Sequence, residues 1–183
     1  MPTSYNPDKH RRQSIRWKQW DYGRSAFYFV TICTHQRMHL FDDAQYYAIA
    51  DRIWHQLPAF PQSHHLDLDE FVIMPNHIHG ILHLKVDHID QSQLAESPAF
   101  RNAKTGTLGR IIATYKALVT RQINQIDRTS GKTVWHRGYW DRVIRDAEEL
   151  NAIRHYIREN PKRWHQGQDN LEDLVSRMTR QSP

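Results

Sequence analysis

The segment from Phe71 to Leu84 constrains this chain more than any other. Phe71-Val72-Ile73-Met74 is β-branched and aromatic, Pro75-Asn76 is a turn dipeptide, and His77 to Leu84 returns to strand-like composition. Two strands joined by two residues are antiparallel neighbours. Strand side chains alternate between faces, so His77, His79, Ile81 and His83 share one face and Ile78, Gly80, Leu82 and Leu84 the other. The second face is a core face. The first sets two imidazoles side by side, an arrangement that can chelate one divalent ion. It also suits two half-exposed histidines with no metal between them. Two ligands do not complete a site, so a third donor has to come from elsewhere. His83 lies farther along the same face and reads as a structural residue rather than a ligand.

The rest of the chain supplies partners for this hairpin. Phe27 to Thr34 reads as a strand, and Ala44 to Leu57 has helical spacing that Pro58 and Pro61 stop. Residues 85–106 are polar and irregular and read as a loop. Thr107 to Ile126 carries a broad apolar face of Leu108, Ile111, Ile112, Tyr115, Leu118, Val119 and Ile123. Thr133 to Ile144 holds a short fourth strand. Asp146 starts a last helix with Glu149 as its capping-box partner, and Pro161 predicts its end at Asn160. The order β-α-β-β-α-β followed by a helix predicts an α+β fold: a ferredoxin-like split βαβ antiparallel sheet with an additional C-terminal helix. The 183 residues suit one domain, with a basic arm over about 1–24 and a polar tail over about 165–183.

That last helix holds the second feature of interest. Leu150, Ile153 and Ile157 form its apolar stripe, and Tyr156 and Asn160 sit one turn apart on the flank. Alone, they read as a core-edge tyrosine and a helix-ending asparagine. If this helix packs beside the histidine strand, His77, His79 and Asn160 make an N,N,O set for a hard divalent ion, with Tyr156 next to it. Tyr139, beside Gly138, is the rival tyrosine, but it has no ligand-type residue at helical spacing.

Charge points the same way. Lys and Arg number 25 against 20 Asp and Glu, a formal net charge of +5, which favours polyanions. The basic residues cluster among aromatics. His10, Arg11, Arg12, Arg16 and Lys18 interleave with Trp17 and Trp20. Arg154, Arg158, Lys162 and Arg163 lie beside Trp164. A cation next to an exposed aromatic suits a phosphate and a stacked base. Arg11, Arg12, Arg137, Arg154 and Arg158 are the candidate phosphate contacts. Trp135 and Trp140 are candidate stacking or core residues. One cysteine, Cys33, excludes an internal disulfide framework and a cysteine-rich zinc site. No apolar run approaches the roughly 18 residues of a membrane span, and the N-terminus has no signal-peptide pattern. The expectation is a soluble cytoplasmic protein that does not engage a membrane.

Three stretches in order resemble a known family. His77-Ile78-His79, within Phe71 to Ile81, looks like the HUH motif (His, hydrophobic, His) of single-strand DNA nucleases. Val134 to Arg145, followed by Tyr156-Ile157-Arg158-Glu159-Asn160-Pro161, resembles REP-associated tyrosine transposases. Phe29 to Gln36 is similar to that family's first strand. The likeness runs from about Tyr28 to Trp164. It implies that Tyr156 attacks a phosphodiester of single-stranded DNA, leaving a 5′-phosphotyrosine and a free 3′-hydroxyl. It implies that His77 and His79 hold Mg²⁺ or Mn²⁺, with Asn160 where relatives carry the third ligand. The implied substrate is a palindromic DNA hairpin with adjoining single strand, and the implied assembly is a monomer or a homodimer. Two other readings stay open on sequence: a catalytically silent hairpin DNA- or RNA-binding module of the same fold, and a metallohydrolase of another substrate.

Overall fold

The computed structural model describes residues 25–63, 65–85 and 107–167. The basic arm with Arg11 and Arg12, most of the 85–106 loop and the tail beyond residue 167 lie outside the described residues. The elements are β1 (Ala26–Cys33), α1 (Ala44–Gln56), β2 (Leu66–Met74), β3 (His77–Leu84), α2 (Leu108–Ile126), β4 (Trp140–Ile144) and α3 (Ala147–His165), with short 3₁₀ turns between β1 and β2. The sheet order is β2-β3-β1-β4, antiparallel throughout. This is the expected α+β ferredoxin-like arrangement. Its two central strands are β1, which leads the fold, and β3, which carries the histidines.

The two sheet faces are covered differently. Tyr28, Val30 and Ile32 of β1 and Ile78, Leu82 and Leu84 of β3 pack against Ile49, Ile53 and Trp54 of α1 and Leu108, Ile112, Tyr115 and Val119 of α2. All but Ile49, Ile53 and Ile112 are wholly buried. Gly80 lies in this face because the Trp54 indole occupies the space beside it: a Cβ built there would come within 2.3 Å of the ring. The other face is smaller. Phe29, Ile81, Ile144 and Ile157 form its centre, with Phe27, Val72, Trp140, Leu150, Ile153 and Tyr156 around them, and α3 is its cover.

The starts of α1 and α3 follow from their caps. Asp43 accepts from the backbone N–H of Gln45 and Tyr46 at 2.8 and 3.3 Å, and Asp146 Oδ1 accepts from Glu149 N at 2.8 Å. The capping box at Asp146 is only half formed. Glu149 Oε2 reaches Arg145 N at 2.9 Å, one residue ahead of the cap, while Oε1 takes the Arg142 guanidinium.

Two elements depart from the sequence expectation. β2 begins at Leu66, not Phe71; its first half is too charged to read as a strand, and its register shifts between Leu68 and Phe71. α3 does not end at Asn160 but runs through Pro161 to His165. An interior proline costs a helix roughly 3 kcal/mol. The added turn gains tertiary contact in return, because Trp164 packs against His77 and His39, with ring centroids 6.0 and 5.4 Å apart. Lys162, Arg163 and His165 also place cations in the last turn, where the helix dipole favours them.

Candidate active site

The β1–β3 register sets Thr31 opposite His79 and Cys33 opposite His77. Both histidines and Thr31 are wholly buried. Buried polar groups need partners, and here each imidazole is anchored through Nδ1. His77 Nδ1 donates to Asn76 Oδ1 at 2.8 Å, and His79 Nδ1 meets Thr31 Oγ1 at 2.9 Å. Anchoring both Nδ1 atoms turns the two Nε2 atoms toward one another, 3.1 Å apart. Burial, with the nearby Arg37 charge assisting, pushes His77 down to about 3. Burial, then His77, pushes His79 well below its ordinary value. Both rings therefore stay neutral near pH 7 and keep a lone pair.

Helix α3 closes the site. Two ion pairs dock it on β2. Arg154 grips Asp69 in a two-pronged contact of 2.9 and 2.6 Å, and Arg158 Nε lies 3.1 Å from Glu70 Oε1. The Arg154 hydrogen bonds hold Asp69 below the usual carboxylate range. Tyr156 then faces the histidines, its Oη 3.4 Å from His79 Nε2. Its ring stands edge-on to Phe29 at 6.1 Å and under the Arg163 guanidinium at 5.7 Å. One turn on, Asn160 is wholly buried; its Nδ2 donates to Tyr156 O at 3.4 Å, while Oδ1 has no hydrogen-bond partner among the described residues.

This donor set fits a divalent ion. Two nitrogens each about 2.1 Å from one octahedral ion stand about 3.0 Å apart, close to the Nε2 separation here. A buried amide oxygen left unpaired supplies a third donor of the kind such an ion takes. Among the described residues no three His, Cys, Asp or Glu side chains converge on a common point, so an ion held here would take a donor of another type, such as the Asn160 amide oxygen.

The structure thus brings Tyr156 to the His77–His79 pair, with Asn160 buried one turn further along α3. It places the other candidates elsewhere. Arg154 and Arg158 serve as struts between α3 and β2. Arg137 is exposed between two carbonyls, those of His136 and Gly138, which Lys116 Nζ holds at 2.7 and 2.8 Å. Tyr139 packs against the large core, so it does not rival Tyr156. Trp135 is a core residue whose Nε1 donates to Lys116 O. Trp140 stacks on His136 at 5.5 Å. His83 stacks on Phe27 at 4.0 Å, with Asp67 beside it, in keeping with a structural role.

Sequence reasoning missed the anchors Thr31 and Asn76. Asn76 had a signal, its place directly before His77; Thr31 needed the strand register. It also missed the turn after β1. Gln36 and Arg37 both adopt positive φ, 51° and 54°, a conformation that costs a non-glycine residue about 1 kcal/mol or more. The buried Thr34 hydroxyl bonds Met38 O at 2.7 Å and Asn76 O at 3.0 Å. That ties this strained turn to the turn that carries His77.

No protein-family model matches the chain. An uncharacterised protein of Haemophilus influenzae is 34% identical over 185 residues, covering 92% of this chain and 98% of that protein. Among solved structures, a REP-associated tyrosine transposase bound to a REP hairpin aligns with TM-score 0.51 and 16% identity, over 79% of this chain and 72% of that one. The two share a fold.

Proposed function

The chain belongs to one family with the Haemophilus influenzae protein, and from that premise and the shared transposase fold we propose that it binds DNA and cuts and rejoins single strands near a palindromic hairpin. The observation that carries this reading is the meeting of Tyr156 with His79 across 3.4 Å, beside the paired Nε2 atoms. A tyrosine is a poor group for hydrolysis but a good one for strand transfer, because its phosphodiester conserves the energy of the bond it replaces.

In the proposed step, Tyr156 Oη attacks a backbone phosphorus. The phenol gives up its proton, the bond from phosphorus to the 3′-oxygen breaks, that oxygen takes up a proton and leaves as the 3′-hydroxyl, and the 5′-phosphate stays on the tyrosine. Attack by a 3′-hydroxyl reverses the step. An ordinary phenol, with pKa near ~10, needs help to act at neutral pH. Held by His77, His79 and Asn160, Mg²⁺ or Mn²⁺ would supply Lewis-acid polarisation of a phosphoryl oxygen. The protein's own part is positional. Phe29 and His79 fix the phenol ring, Thr31 and Asn76 fix the imidazoles, and the Arg154–Asp69 pair fixes the helix that bears the tyrosine. Arg137 is exposed and suits a backbone phosphate.

The test is a denaturing gel. Labelled single-stranded DNA carrying a hairpin palindrome is mixed with wild type and Tyr156→Phe, with Mn²⁺ or with chelator. A denaturant-resistant protein–DNA band that needs both the ion and Tyr156 is the expected result. A band of equal strength from Tyr156→Phe overturns the assignment of the nucleophile. Tight hairpin binding with no band under any condition replaces this function with that of a silent binding module.

A further inference from the structure

A row of aromatic rings runs outward from the site, and its outer members, Trp164 and His39, take no part in that chemistry. The rings of Tyr156, His79, His77, Trp164 and His39 form a continuous row, with centroids 5.4, 4.5, 6.0 and 5.4 Å apart from one to the next. The inner rings are buried and the outer end opens to solvent. Trp164 is half-buried, and the His39 side chain is 54% exposed, with Asp42 Oδ2 3.5 Å from its Nδ1. Cations flank the row. Arg163 lies over the Tyr156 ring. Arg37, held in its left-handed turn, is near enough to His77 and Cys33 to act on both. Two unusual backbone features serve this one corner: the helix that passes through Pro161 to deliver Trp164, and the strained turn that leads from Arg37 to His39. Trp164 lies eight residues beyond Tyr156 on α3, about 12 Å along the axis, within reach of a neighbouring nucleotide.

We propose that Trp164 and His39 form a stacking subsite for an unpaired nucleobase next to the scissile phosphate, with Arg37 and Arg163 placed for the adjoining backbone. Aromatic faces bind any base, and flanking cations bind the phosphates between bases. The subsite therefore selects single strand over duplex at that position, because a paired base does not offer its faces. It rests on the proposed function for the identity of the polymer.

The test is equilibrium binding by the full chain, read by fluorescence anisotropy. The probes are single-stranded oligonucleotides with a hairpin and flanking strand, each with one base removed to leave an abasic sugar. For wild type, one flanking position is expected to weaken binding at least about fivefold when its base is lost, the low end of stacking on an aromatic side chain. Trp164→Ala should bind the intact probe more weakly by a similar factor and be indifferent to base loss at that position. Trp164→Phe should restore the dependence. Unchanged base dependence in Trp164→Ala overturns the subsite, as does a wild type indifferent to every base. If Trp164→Ala does not fold, His39→Ala, at an exposed position, carries the same comparison with the same criterion. The adduct assay on the same probes reads the chemistry separately. An adduct without coupling between base and Trp164 removes the subsite alone. Coupling without an adduct supports the subsite and removes the strand-transfer reading. Absence of binding to any probe removes both.

Discussion

The two faces of one four-stranded sheet are built on opposite terms. The face toward α1 and α2 is apolar and closely packed, down to the missing Cβ at Gly80 that admits Trp54. The face toward α3 buries Thr31, His77, His79 and Asn160, groups that cost free energy to take from water unless every polar atom is paired. The first face contributes stability and the second spends some of it. The same strand, β3, supplies both, because alternate residues point to opposite sides. Stability and chemistry are therefore separable by position.

Breaking the apolar face gives the largest expected change. Trp54→Ala should cost about 3–5 kcal/mol, the usual range for an aromatic removed from a core. Urea unfolding measures it, and adduct formation per folded molecule should stay unchanged. A loss of adduct beyond the loss of folded protein would show that the faces are not independent.

Acid should act on the other face. The His77 value is depressed in the folded protein, so below pH ~6.5 the unfolded chain binds a proton that the folded one refuses. Stability is then fully present above pH ~6.5 and falls as the pH drops toward 3. At pH 5, in chelator, His77 alone should account for a loss of up to about 2 kcal/mol, with His79 adding in the same direction. Asp69, also depressed, contributes only near and below its ordinary value of 3.8. Urea midpoints that do not change between pH 7.5 and 5.0 would contradict the buried, neutral state of the pair.

The smallest change sharpens the contrast most. Asn160→Leu removes a buried amide whose oxygen has no hydrogen-bond partner among the described residues. Stability should hold or rise by about 1 kcal/mol, while Mn²⁺ binding by calorimetry and adduct yield should fall. A clear loss of stability with intact ion binding would make Asn160 a structural residue.

The sheet was legible in the sequence because its strands carry a two-residue period and its hairpin a marked turn. The histidine pair was legible for the same reason. Tyr156 and Asn160 were placed by helical spacing together with the family resemblance; spacing alone left them as a core-edge pair. What could not be read depends on residues far apart in the chain. Arg154 looked like a phosphate ligand because its partner Asp69 is 85 residues away. Pro161 looked like a helix end because the contacts of Trp164 with His39 and His77 lie outside any local rule. The start of β2 was hidden by its charges, of which Asp69 and Glu70 pair with α3 rather than marking a loop.

Element order has one more consequence. The histidine pair lies on β3 and the tyrosine on α3, 77 residues later. During synthesis the sheet's central strands leave the ribosome well before α3 does. A nascent or prematurely ended chain thus holds both imidazoles without the phenol. On the proposed function, a chain that ends before the final helix lacks the nucleophile and forms no covalent adduct.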